Sequence, residues 1–281
     1  MAEPSPATTF ASLPAELRIQ ILTYVVAQPS LAGFERIVPP TFPANMSTKL
    51  HVDNDYTSSA NLAPLLVCKQ WHDDFAHLAF RKTHFVVTDM YNTLPQRLDM
   101  LSDWKLQNIR KIAFVAGARQ FRELVHWPQY PFNNPSLRLD SLTVVLHRSA
   151  HWHYPSDFTR DMVNLLRRLE NVKVLKFIRN GANVKGFFKT WYNRLIGLLL
   201  KEDHFQRYDV AGGPHLEKTW WEWRYRDEDQ SFEMRSREAK PVMAEEEYME
   251  FVKPLVGRLM NEMAEEEMSP SSGNRNGHDG W

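Results

Sequence analysis

Residues 109–114 read IRKIAF: a large apolar residue, two spacers, a second apolar position, one spacer and a closing large residue. Closely similar pieces start at Phe80 (FRKTHF), Leu139 (LDSLTV), Val172 (VKVLKF) and Phe205 (FQRYDV). The starts lie 29, 30, 33 and 33 residues apart. Alternation within each piece fits a short strand with one face buried, because successive side chains of a strand point to opposite faces. Between the pieces, apolar residues recur at helical spacing over 94–106, 158–169 and 187–200, with a shorter stretch at 119–127. Strand and helix at a near-constant period predict stacked αβ units with a mainly parallel sheet.

Toward the C-terminus the pattern changes. Gly212-Gly213-Pro214 breaks the chain. KTWWEWRYR and SFEMRSR, joined by DEDQ, then alternate as a β-hairpin. Trp221, Trp223 and Tyr225 share the core face, and Trp220, Arg224 and Arg226 share the opposite one as exposed contacts. A last helix over 244–268 carries Tyr248, Phe251, Val252, Leu255 and Leu259 on one stripe, and Pro254 inside it is expected to kink or split it. Residues 269–281 read as a disordered tail.

Toward the N-terminus, 1–10 read as a flexible arm. Ser12, Leu13, Pro14 and Glu16 look like a helix start, and Leu17, Ile21, Leu22 and Val25 continue it to a stop at Pro29. Residues 29–60 are rich in Pro, Ser, Thr, Asn and Asp and read as a long loop. A helical pattern resumes through Leu62, Leu65, Leu66, Cys68 and Phe75.

The totals set outer limits. The chain has 281 residues, 43% of them hydrophobic, which suffices for a sizeable core. Lys plus Arg equals Asp plus Glu at 34 each, so no global field draws in nucleic acid or an anionic membrane. A single cysteine excludes an intrachain disulfide and a cysteine-based zinc site. The start lacks the blocks of a signal peptide and no apolar run reaches the ~20 residues of a membrane span, so a cytoplasmic or nuclear location is expected.

Two constellations could carry chemistry. In LLVCKQWHDDF, Cys68 and His72 stand four apart with Asp73 and Asp74 behind them. A nucleophile needs a stabilised thiolate, a base and an orienting group. Cys68 sits among Leu65, Leu66 and Val67 and reads as a small buried hydrophobe. In HRSAHWH, His147, His151 and His153 follow a strand and could ligate a metal, although the nearest carboxylate is Asp157. Phosphate-cradling glycine motifs, G-x-S-x-G and H-E-x-x-H are absent from the sequence.

LPAELRIQILTYV followed later by LLVCKQWHDDF resembles the F-box. Leu13, Pro14, Glu16, Leu17, Ile21, Leu22 and Val25 match its Leu-Pro helix, and Leu66, Val67, Cys68, Lys69 and Trp71 match its closing helix. The chain as a whole resembles the short F-box domain proteins of filamentous fungi, most of them uncharacterised, which often share an aromatic hairpin and a late EEEYM-type helix. The αβ pieces are similar to leucine-rich repeats, with slightly long periods. The resemblance departs at the 32 residues of 29–60, where an F-box has few. Closure entropy grows only logarithmically with loop length, so the two helices can still pack.

The expected fold is therefore α/β. It comprises an F-box-like helical unit over 11–80 with an inserted loop 29–60, and an αβ domain over 81–268. The domain is leucine-rich-repeat-like or an open, mainly parallel sheet, with a C-terminal β-hairpin and helix. The F-box helices are expected to pack on the first αβ unit. The resemblance implies a non-catalytic adaptor without cofactor. It would dock a Skp-type adaptor of a cullin–RING ubiquitin ligase through Leu13, Pro14, Leu17, Ile21, Leu22, Val25, Val67 and Trp71. The αβ region would hold an unknown target protein. Two alternatives remain: an interaction module that never engages the ligase, and a metal-dependent enzyme using HRSAHWH.

Overall fold

Four of the five repeated pieces mark strands. The computed structural model describes residues 9–37, 49–89, 94–147, 151–152, 158–184 and 188–268. The arm up to residue 8 and the tail 269–281 lie outside the described residues. The N-terminal half contains α1 (Ala15–Val25), β1 (Phe34–Ile37), β2 (Lys49–Val52), α2 (Lys69–Lys82), β3 (His84–Val87), α3 (Leu94–Asp99), α4 (Asp103–Asn108), β4 (Lys111–Ala116), α5 (Ala118–Leu124) and β5 (Ser141–Leu146). Next come β6 (His151–Trp152), α6 (Phe158–Arg168), β7 (Val174–Ile178), β8 (Asn183–Val184), α7 (Phe188–His204), β9 (Thr219–Arg226), β10 (Ser231–Glu238) and α8 (Glu245–Met268).

The main sheet has six strands in the order β3-β4-β5-β7-β10-β9. The first four are parallel and stand side by side in chain order. The hairpin β9–β10 joins antiparallel to β7. The fold is thus mixed α/β with a mostly parallel sheet, as the alternation predicts, and the expected C-terminal hairpin and helix are present.

Rows of large side chains cross the sheet in register. Phe114, Val144, Phe177 and Phe232 form one row, and Ile112, Leu142, Leu175 and Met234 form the next. Both rows bury into the main core with side chains of α3, α4, α5, α6, α7 and α8. Phe177 and Phe232 stack with centroids 4.6 Å apart.

The opposite face carries the alternate residues Val115, Val145 and Ile178. They pack with Val86 against Leu31, Phe34, Leu50 and Val52. The expected loop 29–60 is therefore corrected: it contains the antiparallel pair β1–β2, which forms a second layer on the sheet. Its polar composition hid two four-residue strands whose burial lies mostly on β2. Gly33 makes the approach possible. It sits at φ +84, and a Cβ there would fall 2.5 Å from Val86 Cγ2.

Several other expectations are corrected. FQRYDV is no strand; Phe205–Asp209 is a π-helical turn continuing α7. Arg207 reaches back to Asp203, four residues earlier, at 2.9 Å, and that contact suits helical rather than extended backbone. The helix over 94–106 is two short ones. Helix α8 runs unbroken through Pro254, because Tyr248, Val252 and Leu259 anchor both sides of the lost hydrogen bond in the core. Trp220 is buried against Phe251 and under Lys240 rather than exposed.

The helical unit meets the αβ region through Phe80, whose ring lies 5.7 Å from Trp104 and 5.8 Å from Phe85. Arg81 Nε donates to Asn108 Oδ1 at 3.0 Å. The expected packing on the first αβ unit is present.

His84 sits where β3 meets the inserted layer. Its Nδ1–H donates to the Ala32 carbonyl at 2.8 Å, and Nε2 is buried without a partner among the described residues. Burial lowers its pKa from 6.5 to about 4, with Lys111 and Lys176 pushing the same way. Between those values the unfolded chain takes a proton that the fold refuses. This contribution to stability is therefore complete above pH 6.5 and lost as pH falls toward 4, about 3 kcal/mol in all. Urea titrations at pH 7 and 4.5 should show the loss, and His84→Asn should flatten it; equal slopes in both proteins would refute the assignment. Leu50→Ala should cost about 3 kcal/mol by the same assay, as truncation of a sealed core residue.

Candidate partner-docking site

The two halves of the F-box pattern meet in space. Leu22 of α1 and Val26 just past its end face inward. They share a small core with Leu65, Phe75, Ala76 and Ala79. Arg18 on the same inner side bridges to Asp74 of α2 at 2.7 Å and donates to the Leu13 carbonyl at 2.7 Å. Asn61 Nδ2 donates to the Val26 carbonyl and to Thr83 Oγ1, tying the end of α1 to the end of α2. Trp71 lies half-buried between Phe10 at 4.8 Å and Phe75 at 6.1 Å. Phe10 is thus ordered rather than part of a flexible arm.

The rest of α1 points outward with no cover among the described residues. Leu17 is 47% exposed, Ile21 42% and Val25 54%, a stripe at i, i+4 and i+8. Tyr24 beside it is 75% exposed. Pro14 is exposed and Leu13 half-buried. Between the 3₁₀ turn Ala60–Leu66 and α2, Leu66 and Val67 are also exposed. Burial of each such side chain against a partner would contribute roughly 1.5–3 kcal/mol. One of the expected contact residues is corrected: Leu22 is sealed in the core and cannot reach a partner, whereas Trp71, like Leu13, is half-buried. The period-3.6 pattern marks both faces of α1 as apolar and does not say which one the fold covers. Tyr24 and Ile19 join the exposed set without having been singled out, and Leu66, matched to the pattern but not expected as a contact, joins it too.

The chemical constellations look different in three dimensions. Cys68 is exposed at the N-cap of α2, in extended backbone, rather than buried within a helix. Its carbonyl accepts from His72 N–H in the first turn, and the His72 ring lies 3.5 Å from Asp73. His147 follows β5 and His151 begins β6. His153 lies outside the described residues. Among the described residues no group of three His, Cys, Asp or Glu side chains could hold a metal. The four parallel strands also stand in unbroken order, so they lack the reversal at which open α/β sheets bind ligands. No helix among the described residues is long and apolar enough to cross a membrane.

A buried ionic network was not foreseen. Asp203 Oδ1 accepts from Arg167 at 3.0 Å; its Oδ2 accepts from Arg207 and from the Tyr248 hydroxyl, each at 2.9 Å. Glu217 accepts from Arg207 at 2.6 Å and from Lys240 N–H at 2.7 Å. Burial raises the Glu217 pKa, and Asp203 adds to the rise. Burial opposes the charge of Arg207, but Asp203 and Glu217 outweigh it and raise its pKa. Shifted groups of this kind can mark an active site. Here all four carboxylate oxygens are engaged, and the adjoining void is about 10 Å³. That is room for one water at most. The arrangement therefore clamps α6, α7, α8 and the approach to β9. Its one sequence signal is the opposite charge four apart at Asp203 and Arg207.

Compared with family models, curated proteins and solved structures, the chain finds no match.

Arg207→Met should leave two carboxylates buried and facing each other, at a cost of about 4 kcal/mol near pH 7.5. The deficit should shrink by pH 5, as protonation relieves the repulsion. Urea midpoints of both proteins at the two pH values measure it, and a pH-independent deficit would show that the charges do not oppose each other.

Proposed function

We propose that the chain is a non-catalytic recruiting subunit of a Skp–cullin–RING ubiquitin ligase. The α1 stripe docks the Skp-type adaptor, and the αβ region holds a target protein. The observation that carries this reading is the division within the F-box pattern. Leu22 closes the inner core with Leu65 and Phe75. Leu17, Ile21, Val25 and Val67 stay at the surface. A pattern retained only for packing would have no use for uncovered Leu, Ile and Val at i, i+4 and i+8. Helix-in-groove recognition uses such anchors. The described part of the insertion, which could have covered the stripe, lies on the sheet instead. In this reading no side chain of the chain performs chemistry, and the place of action is the cytoplasm or nucleus with the ligase.

Exposure makes the test clean. Leu17→Asp and Val25→Asp change surface residues, so stability should move by no more than about 0.5 kcal/mol. Co-purification with a Skp-type adaptor should give a one-to-one complex with the wild-type chain. Both variants should lose at least ~10-fold in affinity while keeping their circular dichroism, since each places a charge in an apolar contact. Absence of a wild-type complex, or equal binding by both folded variants, would leave the chain an interaction module outside the ligase.

A further inference from the structure

The two edges of the main sheet are treated differently. At the β3 edge, side chains from the inserted segment occupy the backbone groups. The His84 carbonyl accepts from Tyr56 and Ser58, Gln28 accepts the His84 N–H, and Ser58 Oγ accepts the Val86 N–H. At the opposite edge lies β9, eight residues long, with no strand beyond it among the described residues. Its first turn of chain is tied to α6 through Lys218 N–H and Thr219 Oγ1. From Glu222 to Arg226 the strand is partly or fully exposed. An antiparallel ladder leaves alternate N–H and C=O groups of such a strand facing outward, a template for one more strand.

A depression of about 270 Å³ opens on this stretch between β9, α7 and α8. Tyr192, Trp223 and Tyr225 supply aromatic surface, and Lys189, Arg224 and Arg258 supply positive charge. Lys189 Nζ stands 5.9 Å from the Tyr225 ring centre and Arg258 Cζ 5.8 Å from that of Trp223. On the face of the hairpin turned away from α7 and α8, the neighbouring cations have carboxylates: Lys176, Arg226 and Arg235 share Glu233, and Arg237 holds Glu222. Lys189, Arg224 and Arg258 make no ion pair among the described residues. Two acids also line the depression. Asp227 already accepts from Gln230 in the hairpin turn, and Glu262 stands on the far wall with Oε2 buried and unpartnered among the described residues.

We propose that this edge binds an extended acidic peptide segment. The segment adds as a seventh strand along β9, with a carboxylate side chain seated beside Lys189 and Arg258 on the helix side, and with Arg224 adding positive charge from the other face of the strand. Main-chain pairing supplies affinity without sequence, and the charged depression supplies selection. The open edge favours a peptide over a free small anion, which would leave the strand unpaired. The biological role of the segment, as part of a recruited target, rests on the function proposed above; the binding itself does not.

The probe is a fluorescein-labelled (Glu-Val)4 peptide, added to the full chain without any adaptor and followed by polarisation and amide hydrogen exchange. Expected are saturable binding that weakens with salt, and a (Lys-Val)4 control at least ~10-fold weaker. Amides of β9 should exchange more slowly on binding, and those of β3 should not change. Arg224→Glu and Arg258→Glu are surface changes and should each weaken binding at least ~10-fold. Three results overturn the proposal: no saturable binding, binding indifferent to both reversals, or binding that leaves β9 amides unprotected. The last would be ionic adsorption only. Because no adaptor is present, none of these outcomes depends on how α1 docks.

Discussion

Parallel strands need cover on both faces, and among the described residues helices cover only one face of this sheet. The helices from α3 to α8 all bury into the same side of the sheet. Left alone, Val115, Val145 and Ile178 would face water across the centre of the other side. The segment inserted between α1 and α2 supplies the missing layer. It is fastened beyond its apolar contacts. Leu50 N–H donates to the Asp229 carbonyl, Arg36 pairs with the Asp229 carboxylate at 3.2 Å, and Val52 N–H donates to Asn180 Oδ1. Asn180 in turn donates to the Leu146 carbonyl at the end of β5. The insertion is thus bound to the hairpin tip and to the ends of two parallel strands.

That one requirement organises the N-terminal unit. A short F-box linker could not reach the far side of the sheet and return. The residues of 29–60 let α1 and α2 stay paired while the chain between them crosses the sheet face. Gln28, Tyr56 and Ser58, at the margins of the crossing, also occupy the β3 edge. Helical unit, second layer and closed edge are consequences of one detour. Coverage of the sheet and exposure of the α1 stripe are therefore linked, because the described part of the insertion is engaged on the sheet.

How much of this was legible depends on whether a signal is local. The strands β4, β5 and β7 were readable because each carries its apolar residues within its own five or six positions, although β4 and β5 prove buried on both faces where one buried face was expected. The hairpin β9–β10 was readable for the same reason, with DEDQ at its turn. β1 and β2 were not, since each is four residues long and β1 is half-buried only at Phe34. Phe205–Asp209 misled because Phe205 and Tyr208 mimic the repeat while Arg207 answers to Asp203 and Glu217. Long-range charge pairs leave almost no mark in a sequence. For the candidate docking site, the apolar periodicity of α1 was legible, but the side on which Leu22 turns inward was not. That choice is made by Phe75, Ala76 and Ala79, some fifty residues away.

The two proposed contacts sit at opposite ends of one rigid object. The helical unit adjoins β3, and the open edge is β9, five strand spacings of about 4.8 Å away, or about 24 Å. Between them runs continuous hydrogen-bonded sheet with rows of large side chains in register. The weak point of such a spacer would be its terminal hairpin, which has one neighbouring strand and a free flank. The ionic network sits there. Arg167 holds Asp203 and the His215 carbonyl, Arg207 holds Asp203 and Glu217, and Trp221 Nε1 donates to the Leu166 carbonyl. These contacts fix the start of β9 to α6 and α7 by directional bonds rather than apolar contact alone. Apolar contact tolerates sliding, whereas a fork of hydrogen bonds to two carboxylates has one geometry. The network therefore contributes position more than stability, and position is what an edge needs if whatever it binds is to lie at a set distance from α1.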